Sequence, residues 1–115
     1  MEKNKIKILS ENTYETLSSF YSLFADKTRL AIISLLIDNK LCVNEIAEIL
    51  SLEQSRVSHQ LAILRKHDIV IFTRSGKQVL YSLKDNHIKD IFKTGLEHVS
   101  EKDEKVYSER KEYEH

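Results

Sequence analysis

Four residues near the C-terminal end have side chains that commonly bind metal ions, and they occur as two separate pairs. Asp85 and His87 form the first pair, and His98 and Glu101, which are i, i+3 neighbours, form the second. Carboxylate oxygens and imidazole nitrogens are both frequent metal ligands in proteins. The residue types therefore permit a metal site, although a dimerisation helix with ordinary polar ends would show the same pattern.

The spacing between the two pairs limits how such a site can form. His87 and His98 are eleven residues apart, which on a helix rising roughly 1.5 Å per residue is about 16 Å. One ion with ligands about 2 Å away cannot bridge that distance within a chain. Two copies packed antiparallel about a two-fold axis would bring the first pair of one chain to the second pair of the other, giving two equivalent sites per dimer. The helix itself is predicted by an apolar face that consists of Ile88, Ile91, Phe92, Gly95 and Val99.

The overall composition indicates one small domain. The 115 residues include 18 basic and 18 acidic residues, so net charge points to no class of partner. Cys42 is the only cysteine, which excludes an internal disulfide framework and favours a reducing compartment. No apolar run approaches membrane-spanning length, and the lysine-rich start lacks a signal-peptide core. We therefore expect a cytoplasmic protein without a membrane partner.

Local charge is more informative than the total. Residues 54–84 contain six basic residues against one acidic residue, a net of +5. Residues 97–115 contain seven acidic residues against four basic residues, a net of −3. A basic segment within a neutral chain indicates a face that binds a polyanion.

The hydrophobic periodicity predicts a mainly α-helical chain with one β-hairpin. Asn12 or Thr13 can cap the first helix, and Asp26 is the predicted N-cap of the second. A change to strand-like alternation around a glycine-containing turn predicts the hairpin. We expect a domain over residues 1–101 and a charged tail over residues 102–115. The remaining predicted elements are a third helix at 43–50, a corner at 51–53, a fourth helix at 54–66, a hairpin at 69–83 with its turn at 74–77, and a final helix from Asp85.

Two helices joined by a three-residue corner and followed by a basic hairpin form a winged helix-turn-helix. In this fold the second helix of the pair lies in the DNA major groove and the wing follows the backbone. The fourth helix and the wing carry side chains that suit base edges and phosphates. The alternative is that these charges form a solvated helix face. The predicted DNA-binding residues are Gln54, Ser55, Arg56, Ser58 and His59 on the helix and Arg74 and Lys77 on the wing.

Over nearly its whole length the chain resembles the ArsR/SmtB family of bacterial metal-sensing repressors. The resemblance rests on residues 24–30, 41–47 and 55–65, and on the wing at 76–83; the run Ser-x-Val-Ser-His-Gln-Leu beginning at Ser55 is the most specific part. It implies a homodimer closed by the first and last helices. It also implies that the metal-free form binds operator double-stranded DNA and that metal binding releases it.

Within that family, sensors of zinc or cobalt have Asp-x-His near the start of the last helix and His-x-x-His or His-x-x-Glu near its end. Asp85, His87, His98 and Glu101 match this pattern residue by residue. The resemblance therefore implies Zn(II) as the effector, with Co(II) as its mimic, at two sites per dimer. It also implies that His98 donates its other N–H to the carbonyl of Asp68.

Two departures from the family pattern have specific consequences. Sensors of soft metals have Cys-Val-Cys at the third helix, whereas this chain has Cys42-Val43-Asn44, so a thiolate cage is not expected there. Ser51 occupies a corner position that is often glycine, and a left-handed serine costs on the order of 1 kcal/mol.

Two other functions are compatible with parts of this pattern. The first is a repressor of the same fold with no metal response or with a different trigger. The second is a zinc hydrolase, but four protein ligands would leave no open position for a catalytic water. We therefore predict that the protein is not an enzyme.

Overall fold

The computed structural model describes residues 4–101 and 106–107. The predicted tail at 102–115 thus lies outside the described residues, apart from Val106 and Tyr107. The elements are α1 (Glu11–Ser22), α2 (Lys27–Leu35), α3 (Val43–Leu50), α4 (Gln54–Lys66), β1 (Val70–Ser75), β2 (Gln78–Leu83) and α5 (Asn86–Ser100). This order confirms the predicted mainly α-helical winged helix-turn-helix. No helix within the described part of the chain is long and apolar enough to cross a membrane.

The first two helices begin at side-chain caps. The Ser10 hydroxyl accepts from the backbone N–H of Thr13 at 3.1 Å, so α1 starts earlier than the predicted cap at Asn12 or Thr13. That prediction was wrong because Ser10, two residues upstream, has the same capping chemistry. The predicted cap of α2 is confirmed, since Asp26 Oδ2 accepts from the Arg29 backbone N–H at 2.9 Å.

Two non-glycine residues with positive φ lie at the two ends of the recognition segment, residues 52–67. Ser51, at φ 55°, ends α3, and Asp68, at φ 59°, follows α4. A backbone hydrogen bond between residues five positions apart closes each of these helix ends. The bonds run from Leu52 N to Ala47 O and from Ile69 N to Leu64 O, both at 2.9 Å. These are the bonds of Schellman-type helix ends. The left-handed Ser51 was expected from the sequence, whereas Asp68 was not.

The hydrophobic core lies between α2, α3, α4 and the base of the wing. Apolar side chains from all these elements are buried, because each helix has one apolar face and together these faces exclude water. Helix α5 adds Ile88 to this core, whereas none of the residues of α1 is buried. The most completely buried side chains are those of Ile32, Ile33, Leu41, Ile46, Val57, Leu61, Leu64, Ile69 and Val70.

The wing is a two-stranded antiparallel hairpin with a two-residue turn. Ser75 pairs with Gln78, which leaves Gly76 and Lys77 as the turn residues. Gly76 has φ +63°, at the position where a type II′ turn places glycine. The predicted turn at 74–77 was too long, because Arg74 pairs with Val79 within the ladder.

Candidate functional site

The predicted DNA-binding face of α4 is open to solvent. Val57, Leu61 and Leu64 are buried on one side of this helix. The five predicted contact residues lie outside that apolar stripe and are all exposed: Gln54, Ser55, Arg56, Ser58 and His59. Recognition helices must leave such a face uncovered, because base edges are contacted by side chains that enter the groove.

Arg56 is exposed but already partly ordered. Its Nη2 donates to Thr28 Oγ1 at 3.0 Å, which joins α4 to the first turn of α2. A guanidinium has five N–H donors, so this bond leaves most of them available to a phosphate or a guanine. The sequence gives no signal for this bond, since the two residues are 28 positions apart.

The far end of α4 is attached to the wing. The Arg65 guanidinium carbon lies 4.1 Å from the centre of the Phe72 ring on β1, within the range of a cation–π contact. Phe72 in turn packs against Tyr81 on β2, with ring centroids 6.0 Å apart. This stacking connects the recognition helix to both strands of the hairpin.

The two basic residues predicted for the wing are exposed. Lys77 lies in the turn, and Arg74 is on β1, three positions before Lys77. Both are therefore at the tip of the hairpin, where a winged helix meets the DNA backbone.

At the start of α5 the structure brings Asp85 and His87 together. Asp85 is the N-cap, and its Oδ1 accepts from the backbone N–H groups of His87 at 3.0 Å and Ile88 at 3.4 Å. Its Oδ2 lies 3.4 Å from His87 Nδ1, and the His87 side chain is 87% exposed. Partial burial opposes ionisation of Asp85, but the bonds from Ile88 and His87 prevail and lower its pKa. This pair therefore offers an ionised carboxylate beside an accessible imidazole.

The second pair is at the other end of the same helix. His98 lies in the last turn of α5, and Glu101 is the C-cap residue. Both side chains are exposed. Among the described residues of one chain, no three His, Cys, Asp or Glu side chains lie close enough together to hold a metal ion. Within one chain the four predicted ligands thus form two separate pairs and not one site.

An uncovered apolar groove separates these two pairs. Val99 is 60% exposed and Tyr21 is 51% exposed, which is unusual for large apolar side chains clustered on one surface. Gly95 lies in the middle of the groove, and a Cβ added there would meet no atom within 4 Å. The residues that line this α1–α5 groove are Tyr21, Phe24, Leu30, Ile91, Phe92, Gly95, Leu96 and Val99.

Cys42 lies at the start of α3, where it has a structural role. It is the half-buried N-cap residue of α3, and its backbone N–H donates to Glu45 Oε1 at 3.0 Å. This arrangement is a capping box, which stabilises the start of a helix.

Comparison with known proteins agrees with the fold and identifies the family. Residues 26–71 match the model of the family described as "Bacterial regulatory protein, arsR family". The "Transcriptional repressor SmtB homolog" of Synechocystis sp. is 36% identical over 97 residues, covering 84% of this chain and 74% of that protein. The "Cadmium resistance transcriptional regulatory protein CadC homolog" of Staphylococcus aureus is 29% identical over 102 residues, covering 88% of this chain and 84% of that protein.

One solved structure is similar to nearly the whole chain. The solution structure of apo-NmtR has 31% sequence identity and a TM-score of 0.72, and the match covers 96% of this chain and 92% of that one. The matched region thus includes α1 and α5 as well as the helix-turn-helix. The chain belongs to the ArsR/SmtB family of bacterial regulatory proteins, as a DNA-binding transcriptional repressor and not an enzyme.

Proposed function

We propose that this protein is a zinc-responsive repressor that acts in the cytoplasm as a homodimer. The metal-free dimer binds operator DNA, and Zn(II), or Co(II) in its place, weakens that binding and derepresses genes for metal efflux or sequestration. Each of two metal sites uses Asp85 and His87 of one subunit with His98 and Glu101 of the partner subunit. The observation that carries the proposal is the position of these two ligand pairs at opposite ends of α5, on either side of an uncovered apolar groove.

The α1–α5 groove supports the homodimer. Glycine within a helix costs about 1 kcal/mol relative to alanine, and no neighbouring atom in the protomer requires Gly95 to lack a side chain. A second α5 packed closely across this position would account for both the missing side chain and the exposed Val99 and Tyr21. An antiparallel arrangement about a two-fold axis then places unlike ends of the two helices together.

The donor atoms support zinc as the effector. Two imidazole nitrogens and two carboxylate oxygens suit a tetrahedral borderline ion, for which cobalt is the usual substitute. The similarity to a cadmium-resistance regulator supports a metal effector in general. Cadmium itself is a poorer match, because soft ions prefer several thiolates and the sequence has a single cysteine, Cys42.

The position of the metal sites suggests how binding reaches the DNA face. An ion held between the start of one α5 and the end of the other would fix the relative orientation of the two subunits. The two recognition helices must enter successive major grooves, about 34 Å apart. A dimer fixed at another separation loses one of these two contacts and therefore releases the operator.

The direct test is an operator-binding titration of the full-length dimer, using the DNA upstream of its own gene, with saturating Zn(II) and with chelator. We expect zinc to weaken binding by about 5- to 150-fold, the usual range of allosteric coupling. The Cys42→Ser variant is the matched control and should respond as the wild type does. Equal affinity in both conditions, or tighter binding with zinc, would contradict the proposal and favour a repressor with another trigger.

A mixing experiment tests whether the sites are shared between subunits. Asp85→Ala and His98→Gln chains should each fail to bind zinc tightly as homodimers. In a mixed dimer, however, the unaltered first pair of one chain meets the unaltered second pair of the other. Random reassortment should then restore about a quarter of the wild-type zinc capacity. If mixing restores none, the ligands do not come from two chains as proposed.

A further inference from the structure

The first turn of α2 lies between the end of α1 and the recognition helix and makes polar contacts with both. Arg29 is the main residue of this junction, and it is half-buried. Its backbone N–H donates to the cap Asp26, its Nε donates to the Leu23 carbonyl at 3.1 Å, and its Nη2 donates to the Ser22 carbonyl at 3.4 Å. Its Nη1 reaches α4, where it donates to Gln60 Oε1 at 3.3 Å.

A second bond connects the same turn of α2 to α4. Thr28 Oγ1 accepts from Arg56 Nη2 at 3.0 Å. Arg56 and Gln60 are i, i+4 neighbours and therefore lie on one side of α4, one turn apart. Two attachment points separated along a helix restrict its rotation about its own axis as well as its position.

The guanidinium of Arg29 fixes the orientation of the groups that it joins on α1 and α4. Its guanidinium is planar and only donates hydrogen bonds, so the Gln60 side chain must present its oxygen to it. The other two arms hold carbonyl groups at the C-terminal end of α1, where a helix leaves its last carbonyls without intrahelical partners. A lysine in this position could not bond α1 and α4 at the same time in a fixed geometry, because an ammonium group is a compact point charge.

We propose that Arg29 is a positioning residue for operator recognition, which sets the orientation of α4 relative to α1. Through this residue the dimerisation surface determines how the two recognition helices are directed at the DNA. The inference rests on the homodimer of the proposed function and is independent of zinc. It assigns Arg29 and Thr28 to the control of half-site spacing, not to direct contact with phosphates.

The test compares Arg29→Lys, which keeps the positive charge but loses the planar fork, with Lys27→Gln, which removes a charge from the same turn. Lys27 takes no part in the bonds that join α2 to α1 and α4. The probe is a duplex selected by the wild-type protein from a random-sequence library, together with versions carrying one base pair more or one fewer between the half-sites. Affinities are measured for the metal-free full-length dimers over a series of salt concentrations.

We expect the wild type to bind the selected spacing more tightly than the altered spacings. In Arg29→Lys this ratio of affinities should be about tenfold smaller, as the loss of a charge-assisted hydrogen bond would cause. Its salt dependence should stay unchanged, because no phosphate contact is lost. Lys27→Gln should retain the discrimination. Thr28→Val, which removes only the acceptor for Arg56, should reduce the discrimination in the same direction and provides an independent measurement if Arg29→Lys folds poorly.

Other outcomes distinguish a failure of the positioning role from a failure of the proposed dimer. If Arg29→Lys and Thr28→Val discriminate between spacings as well as the wild type, the positioning role is wrong while the proposed dimer stands. If Arg29→Lys weakens all duplexes equally, Arg29 acts through general stability or direct contact and the inference is overturned. If the wild type sediments as a monomer, both the proposed dimer and this inference fail. If the wild type is a dimer but ignores the spacing, this inference alone fails.

Discussion

The recognition helix α4 and the C-terminal helix α5 differ in how much of their functional environment one chain contains. Helix α4 buries three apolar residues, bonds to α2 through Arg56 and Gln60, and stacks on the wing through Arg65. Helix α5 buries only Ile88 among its own residues and leaves a long apolar face uncovered. The predicted DNA-binding surface is therefore contained in one protomer, whereas the proposed metal sites require a second copy.

This difference suggests a division of roles between the two ends of the molecule. A surface that is held within one chain keeps its shape whatever the partner does. Ligand pairs that meet only across an interface report instead on how two subunits are arranged. Such a separation allows an effector to change DNA binding without altering the residues that contact DNA.

The largest effect should come from preventing the α1–α5 surface from pairing. We expect Val99→Glu to yield a monomer, because it places a charge in the apolar groove, while the protomer should stay folded since Val99 is 60% exposed. Affinity for an operator with two half-sites should fall by about 10²- to 10⁴-fold, as expected when a bivalent contact becomes monovalent. Sedimentation and operator titration measure the two effects.

A Val99→Thr variant is the control, since it keeps the shape of the side chain without adding a charge. A Val99→Glu protein that remained a dimer with wild-type affinity would show that the subunits pair through another surface. The uncovered apolar face of α5 would then not be the surface that a second copy completes.

A smaller effect is expected from altering the metal ligands alone. His98→Gln should bind operator like the metal-free wild type but lose the response to zinc, which is a change of about 5- to 150-fold in the zinc-bound state. The reason is that His98 is exposed and is not among the residues predicted to contact DNA. Operator titrations with zinc and with chelator provide the measurement, and His67→Ala, which alters a histidine outside the ligand pairs, should still respond.

Substitutions on α4 and on the wing should separate base recognition from phosphate binding. Arg74→Ala should weaken binding to all sequences alike and reduce the slope of log affinity against log salt by about 1. His59→Ala should also change the preferred bases, because His59 lies on the exposed face of α4. Selection from a random-sequence library, repeated for each variant, distinguishes the two. An unchanged specificity and affinity for His59→Ala would show that this face does not enter the groove.

The smallest effect concerns the attachment of α5 to the rest of the protomer. Lys89 Nζ lies 3.0 Å from Asp38 Oδ1, and the hydrogen bond and charge of Lys89, with a further contribution from Lys93, lower the pKa of Asp38 below its ordinary value of 3.8. A carboxylate with a depressed pKa stabilises the fold above the unfolded pKa, and this stabilisation is lost as the pH falls through the folded pKa.

Lys89→Gln should therefore lower the melting temperature slightly at neutral pH. The difference from wild type should begin to shrink as the pH falls towards 3.8 and should disappear below the folded pKa of Asp38, which is lower. Lys93→Gln should show a weaker version of the same trend. A difference that is constant from pH 7 to pH 3 would mean that Lys89 acts through packing and not through its charge.

Much of the fold could be predicted because local rules decide it. The helix boundaries of α3 and α4, the Asp26 cap and the hairpin follow from periodicity and from residues with strong conformational preferences. The start of α1 was misplaced because several residues near Ser10 can cap a helix. The hairpin turn was predicted too long because Arg74 and Ser75 carry no strong strand signal.

The candidate site was predictable in composition but not in its supporting contacts. Asp85 and His87 are neighbours in sequence, so their proximity follows from the helix start. The bonds of Arg29 to Gln60 and of Arg56 to Thr28 join distant residues, and a single sequence carries no record of such pairings. The left-handed conformation of Asp68 was missed because aspartate has no strong preference for it, unlike glycine.

The two left-handed residues that bound the recognition segment have a consequence for protein design. Ser51 and Asp68 fix the direction in which the chain enters and leaves residues 52–67, and each does so through backbone bonds that involve no side chain of α4. Apart from Arg56 and Arg65, which hold α4 to α2 and to the wing, the exposed residues of α4 can therefore be exchanged without changing these two corners. Transplanting the exposed face of a relative's recognition helix between them offers a way to give this scaffold a new operator sequence.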